Sequence, residues 1–416
     1  MISKKRALIY SIILVIVTII CTSMFQITLG NKVIISKNLY ELYSKYDKLL
    51  GLENVIESEY YQKVSEEDLI DGALKGLFEG LNDPYSQYYT SDEFQTLKEQ
   101  TSGSFVGIGV YIGVNSENDK ITIISPIEGS PAQKSGIKSG DVVVKVNGKS
   151  IESKTVDEVI KQIKGKENTT VNLTVERDGK EIDFDITRKT IVTKSVSSEV
   201  KEDNIGYLRI TSFDENTYKE FKENLSNLKE KGIKGLVIDL RDNPGGLLDV
   251  CVDIADDLIG EGTIVYTKDN SGKKEYYKSD KNELDMPMAV LINGGSASAS
   301  EILTAALVDN NKAVAIGETS FGKGLVQSVK GLKDGTGYKL TTAQYFTPND
   351  NYINGKGITP KIQEKDKNKQ LKLAIEYIQE EIKCREENDI TIKLPVRFKI
   401  RMWWMFKKEK FKSYYL

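Results

Sequence analysis

From about residue 200 the chain alternates short apolar runs that read as strands with amphipathic runs that read as helices, a pattern that restricts the fold more than any other feature. A strand over 206–210 leads to a helix with Phe221, Leu225 and Leu228 on one face. Strand 235–240, helix 247–259, strand 289–292, helix 299–308 and strand 313–316 follow. Such alternation predicts a largely parallel sheet layered with helices, with ligand chemistry at strand-to-helix turns near the carboxyl ends of the strands.

The rest of the chain differs in character. Lys4-Lys5-Arg6 precede an uncharged, Ile/Leu/Val-rich stretch over 7–30, which is long enough to span a bilayer core and longer than the apolar region of a cleaved signal. It reads as an uncleaved anchor, with the basic end cytoplasmic and the remainder extracytoplasmic. Residues 31–100 read as helical: Ser65 stands three residues before Asp68 as an N-cap, Ile70, Leu74, Leu77 and Leu81 recur at helical spacing, and Asn82-Asp83-Pro84 ends the run. Residues 101–190 show short strand-like runs over 121–124, 142–146 and 171–175, interrupted by one amphipathic helix over 156–163. Before the first strand, Phe105-Val106-Gly107-Ile108-Gly109-Val110 would let successive backbone N–H groups face one space, a nest suited to a carboxylate, although a plain tight turn fits the same residues. After Pro395, basic residues alternate with apolar ones and lead into Trp403-Trp404 and a Lys-rich close, which suits a membrane interface, a loose tail or an edge strand.

The 416 residues contain no histidine, which excludes a Ser-His-Asp or Cys-His catalytic set and any His-ligated metal. Cys21, Cys251 and Cys384 form no close pair, so neither a disulfide framework nor a thiolate metal site is indicated. The formal charge of −3 conceals basic ends: Lys4, Lys5 and Arg6 at one, and 8 basic residues against 1 acidic over 393–416 at the other. The body between is therefore strongly acidic, which disfavours nucleic acid as a partner.

Two turns of the alternating region stand out. Arg241-Asp242-Asn243-Pro244-Gly245-Gly246 follows one buried strand, and Asn293-Gly294-Gly295-Ser296-Ala297-Ser298-Ala299-Ser300-Glu301 follows another. Each sets small residues where a helix begins, so free backbone N–H groups can stabilise an anion or a developing oxyanion. A serine nucleophile needs a base, which here must be Lys, Asp or Glu. Lys323, between two glycines after the next strand, fits if burial depresses its pKa, and Gln327 is placed to orient its amine. From spacing alone, the serines also read as helix caps and Lys323 as a surface lysine.

Taken together, GSASASE, GETSFGKGLVQ, VIDLRDNPGG and LNDPYSQYYT resemble the carboxyl-terminal processing peptidases, serine proteases of the S41 family that carry a PDZ domain; the likeness runs from about residue 65 to about residue 362. The chain as a whole then reads as α+β multidomain: a membrane anchor or signal over 1–30, expected as an N-terminal transmembrane helix, a helical segment (31–100), a PDZ-like β domain (101–190), a β-α-β layered, crotonase-like peptidase domain (191–362), a C-terminal helix (363–390) and the basic aromatic tail (391–416), of which the resemblance implies the PDZ-like and peptidase domains. The resemblance implies Ser298 as nucleophile, Lys323 as base and Gln327 as the residue that holds it. The implied oxyanion hole is Ala299 with Gly245, or Gly246 as the alternate. The implied peptide site is the nest Gly107, Ile108, Gly109 and Val110 with the helix face Val159, Ile160 and Ile163, docking there gating the active site. No metal or cofactor is implied; the expected partners are polypeptides with accessible C-termini, the membrane and a second copy of the chain. Two features depart from the family: Lys164 stands where many members have an arginine, and the Trp-containing tail is unusual. An inert PDZ sensor and non-proteolytic crotonase-type chemistry are the rival readings, and the serine-lysine pair argues against both.

Overall fold

A computed structural model describes residues 4–24, 28–29, 32–33, 35–115, 119–152 and 154–393. The chain divides into two units, 1–82 and 83–416.

The first unit is helical: α1 (Lys4–Met24), α2 (Lys37–Glu59) and α3 (Glu66–Glu79). The side chains described for α1 leave Leu8, Ile9, Ile12, Ile13, Leu14 and Val15 all exposed. Among the described residues, however, no helix is long and apolar enough to cross a membrane. In α3, Ser65 is the N-cap by position but makes no side-chain cap bond, and Ile70, Leu77 and Leu81 remain exposed.

The stretch read as helical to residue 100 is broken within the second unit. Asp83 begins a turn into strand Gln87–Tyr89, and α4 (Ser91–Ser102) follows. Thr90 and Glu93 form a reciprocal capping box at the start of α4, and Gly103 ends it in the left-handed region at φ 62°.

The strand-rich unit has the sheet order Lys180–Thr187, Thr170–Arg177, Val142–Val146, Ile121–Pro126, Val110–Val114. Its two ends are drawn together by the antiparallel pair Ser104–Gly107 and Lys189–Val192. A short helix, α5 (Pro131–Ser135), and α6 (Val156–Ile163) close over a core of Ile108, Ile123, Val159, Ile163, Leu173 and Val175. Strand Val110–Val114 lies at the end of the sheet order, beside Ile121–Pro126, so its outer edge is open to another strand.

The alternating region folds as its periodicity predicts. Strands Ile205–Ile210, Gly235–Asp239, Met288–Ile292 and Ala313–Gly317 pair in parallel, with Val196–Lys201 antiparallel on one edge and the short Ile362–Gln363 on the other. α7 (Thr217–Glu230), α8 (Leu248–Ile259) and α9 (Ala299–Asp309) pack on one face through Phe221, Leu225, Ile254, Leu258, Leu303 and Leu307. α10 (Lys367–Lys393) covers the other through Ala374 and Ile378. Burial on both faces explains why the central strands read as unbroken apolar runs. A second, antiparallel sheet that the sequence reading did not anticipate orders Lys274–Ser279, Gly262–Asp269, Gly337–Phe346 and Leu325–Gly331, and Gln87–Tyr89 joins it on Gly337–Phe346. The tail after Lys393 lies outside the described residues.

Candidate active site

Neighbouring parallel strands Gly235–Asp239 and Met288–Ile292 deliver the two small-residue turns side by side. The turns are stapled together. Asp242 N–H donates to Asn293 Oδ1 at 2.9 Å and Asn293 Nδ2 returns a bond to Asp242 Oδ1 at 2.8 Å, while Ala297 N–H donates to Asn243 O at 3.0 Å.

The three serines of the second turn separate by environment. Ser296 and Ser300 are fully buried and donate to backbone carbonyls, Ser296 Oγ to Leu240 O at 2.8 Å and Ser300 Oγ to Asn243 O at 2.9 Å. Ser298 is half-buried and stands at the start of α9 in a capping box with Glu301, whose carboxylate takes the Ser298 N–H at 2.8 Å. It sits at φ 53°, ψ −112°, a backbone conformation rare for a side-chain-bearing residue, on a tight strand-to-helix turn where α9 begins. It lines a cavity of about 1120 Å³ together with Gly245, Gly246, Ala299, Ile302, Lys323 and Gln327.

The backbone beside Ser298 refines the oxyanion expectation. Gly245, at φ 100°, lies so close that a β-carbon there would stand 2.7 Å from Ala297 O and 3.0 Å from Ala299 N. Its own N–H is not free, because it donates to Asn243 Oδ1 at 2.8 Å. The first-choice donor is therefore engaged, whereas the N–H groups of Gly246 and Ala299 have no acceptor among the described residues.

Lys323 is half-buried on the same cavity. Burial pushes its amine below the ordinary lysine value, the charge of Lys339 adds to that, and Asp83 and Glu301 oppose it. The amine lies over the Tyr85 ring, 4.7 Å from its centroid. Gln327 also faces the cavity, but its Nε2 donates to Thr341 Oγ1 at 3.3 Å, so the expected hold on Lys323 is not what its amide makes here.

A residue given no role from sequence joins the two halves of the site. Glu301, 1% exposed, takes Ser298 N–H at 2.8 Å and Lys323 N–H at 2.9 Å on Oε2, and Ser320 Oγ at 2.6 Å and Gly322 N–H at 2.7 Å on Oε1. Buried Tyr345 adds its hydroxyl, which bonds to the carbonyls of Lys323 and Ser298. The available signal was a lone carboxylate in an otherwise apolar helix start, which reads as a cap.

In the strand-rich unit, Gly109 adopts φ 77° against Ser130, and a β-carbon there would come within 2.4 Å of Ser130 Cβ. Ile108 is fully buried, and its side chain belongs to the core. Gly107 lies in the pair with Lys189–Val192, and Val110 opens the edge strand. Of the helix face expected to touch a peptide, Val159 and Ile163 instead belong to the core, and Ile160 stays half-buried. Lys164 bonds to Glu99 at 2.5 Å and Lys161 to Asp92 at 3.2 Å, tying α6 to α4, which itself forms a wall of the active-site cavity through Leu97, Lys98 and Glu99.

Known proteins resemble this chain over most of its length. The family Peptidase family S41 matches residues 204–364, PDZ domain matches 106–187, and Activating protease CtpB N-terminal domain matches 29–93. The chain is 41% identical over 362 residues to the carboxy-terminal processing protease CtpA of Bacillus subtilis (strain 168), covering 86% of this chain and 77% of that one. It is 42% identical over 320 residues to a Staphylococcus aureus (strain bovine RF122 / ET3-1) protein named "Probable CtpA-like serine protease", covering 76% of this chain and 64% of that one. Among solved structures, the photosystem II D1 C-terminal processing protease aligns at 27% identity and a TM-score of 0.47, covering 80% of this chain and 94% of that one. The chain belongs to peptidase family S41: it is a serine peptidase with a PDZ domain, homologous to the carboxy-terminal processing proteases and acting on polypeptides.

Proposed function

We propose that this peptidase cleaves polypeptides near their C-termini with a Ser298–Lys323 dyad assisted by Gln327. The observation that carries the reading is the separation of the three serines, since only the middle one offers its hydroxyl to the cavity that Lys323 also lines. Ser298 Oγ attacks the peptide carbonyl and neutral Lys323 takes its proton. The N–H groups of Ala299 and Gly246 receive the oxyanion, Gly245 serving as the close-packed strap that places them. Protonated Lys323 then gives its proton to the leaving amine, and water releases the acyl group. Gln327 comes onto Lys323 when substrate completes the site.

The substrate's C-terminus docks as an added strand on the open edge Val110–Val114, its carboxylate at the nest Gly107–Val110 and its side chains against Ile160. The α6–α4 ion pairs offer a mechanical link from that groove to the cavity. The domain division is read as above, with 83–102 assigned to the catalytic side because Gln87–Tyr89 pairs there. The uncharged run over 7–30, with the exposed apolar side chains of α1, supports a single-pass anchor that leaves the catalytic part outside the cytoplasm. A second copy of the chain is the proposed partner of the helical segments.

Docking is tested with paired unstructured peptides that differ only in a free or amidated C-terminus. A charge-assisted carboxylate contact worth roughly 1.5–3 kcal/mol predicts that amidation raises KM about ten- to a hundredfold. Equal KM values for the pair would remove the carboxylate from the recognition scheme.

A further inference from the structure

The LNDPYSQYYT stretch, so far given no chemical role, lies against the base. Asp83 accepts Ser86 Oγ at 2.6 Å and the Tyr85 N–H at 3.0 Å, which closes a tight turn. The turn is fixed to the catalytic sheet, because Ser86 Oγ accepts Thr341 N–H at 2.9 Å and Gln87–Tyr89 pairs with strand Gly337–Phe346. The face of Tyr85 meets the Lys323 amine at 4.7 Å, and the face of Tyr89 meets the Lys339 amine at 5.7 Å. One short segment thus supplies aromatic faces to two lysines that line one cavity.

Resting on the reading of Lys323 as base, we propose that the Asp83–Tyr85 turn is a resting berth for it: the turn holds the charged amine on an aromatic face beside a carboxylate, and Tyr85 and Asp83 are positioning residues that set how readily it is released to Ser298. An aromatic face and a nearby anion both favour the ammonium form; Lys339 opposes it by repulsion. Burial raises the Asp83 carboxyl, but hydrogen bonds from Ser86, Thr341 and the Tyr85 amide, with the charge of Lys323, outweigh that and hold it below the usual carboxylate range. Asp83 therefore stays anionic beside Lys323 at neutral pH. The other charged or titratable groups around Lys323 are Glu301 of α9, whose oxygens are committed to three backbone N–H groups and Ser320 Oγ, Tyr345 of strand Gly337–Phe346, and, along the cavity wall, Lys98 and Glu99 of α4 and Asp214 and Glu215 before α7.

The test is kcat/KM against pH on an unstructured peptide with the full chain in detergent. Activity needs neutral Lys323, so the acid limb rises through the pKa of that lysine in the free enzyme. Tyr85→Leu and Asp83→Asn remove support for the ammonium and should move the limb to lower pH by about half a unit; Lys339→Met removes repulsion and should move it to higher pH by a similar amount. Tyr85→Phe keeps the ring and should restore the wild-type limb. Activity that falls while the limb stays fixed in both Tyr85→Leu and Lys339→Met overturns the berth and leaves the turn a structural element. If Tyr85→Leu does not fold, as judged by its melting transition, Lys339→Met and Asp83→Asn decide by moving the limb in opposite directions or failing to. Lys323→Met separates the two claims: cleavage that survives it refutes the base itself, whereas its inactivity combined with an unmoved limb refutes only the berth.

Discussion

Ser298→Ala and Lys323→Met should each lower kcat by roughly ten-thousandfold or more on an unstructured peptide while leaving the fold in place. The two losses should not add, because a nucleophile without its base and a base without its nucleophile fail at the same step. Ser298→Ala keeps the backbone of the turn and the Ser298 N–H bond to Glu301, so its melting temperature should stay near that of the wild type. Lys323→Met keeps an apolar stem of similar length and should be at least as stable. The sign follows from linkage. Burial and Lys339 lower the amine below its ordinary 10.5, so the unfolded chain binds that proton more tightly than the folded one. The penalty is fully present below the folded pKa and disappears as pH rises toward the unfolded value, so removing the amine should cost nothing at neutral pH. Substantial cleavage by either variant would withdraw the dyad, and a collapsed melting transition would mean that the loss of activity reports folding instead.

What was legible in the sequence follows from where the physics is local. The parallel strands were readable because Leu236, Val237 and Ile238, like Val290, Leu291 and Ile292, are buried on both faces and form unbroken apolar runs. The antiparallel sheet was not, because Leu325–Gly331 and Gly337–Phe346 mix Lys, Gln, Thr and Tyr on a half-exposed surface, and their association with Gln87–Tyr89 spans some 250 positions of chain. Motif spacing picked out Ser298 and Lys323 as candidates but could not say what surrounds them. Asn243 captures the Gly245 amide through a bond that depends on how one turn closes, which is why the proposed oxyanion donor is its neighbour Gly246. Val159 and Ile163 show the same limit from the other side. An amphipathic helix announces one apolar face, and only the packing reveals that Val159 and Ile163 look into the core while Ile160 stays half-buried.

Glu301→Gln should have the second largest effect, and it separates positioning from chemistry. The carboxylate has Ser298 N–H and Lys323 N–H on one oxygen and Ser320 Oγ and Gly322 N–H on the other, with the Tyr345 hydroxyl 3.5 Å from the first. A glutamine can serve only one of these pairs. Whichever way the amide turns, its NH2 faces buried donors that have lost their acceptor. Losing two charge-assisted bonds in a buried site is worth about 3–5 kcal/mol, or a drop of several degrees in melting temperature for a chain of this size. The catalytic consequence is larger than the structural one. Ser298 and Lys323 reach the cavity from separate loops, and a displacement of about 1 Å between reacting groups costs on the order of a hundredfold in rate. We therefore expect kcat to fall about a hundred- to a thousandfold, with KM for a peptide bearing a free C-terminus nearly unchanged, because the docking strand makes no use of Glu301. The acid limb of kcat/KM should also move to lower pH, since Glu301 is one of the charges that favour the protonated amine. A variant with wild-type kcat and an unmoved limb would show that the serine turn and the lysine loop hold their places without the carboxylate. A rise in KM alone would assign Glu301 to binding and not to the registration of nucleophile and base.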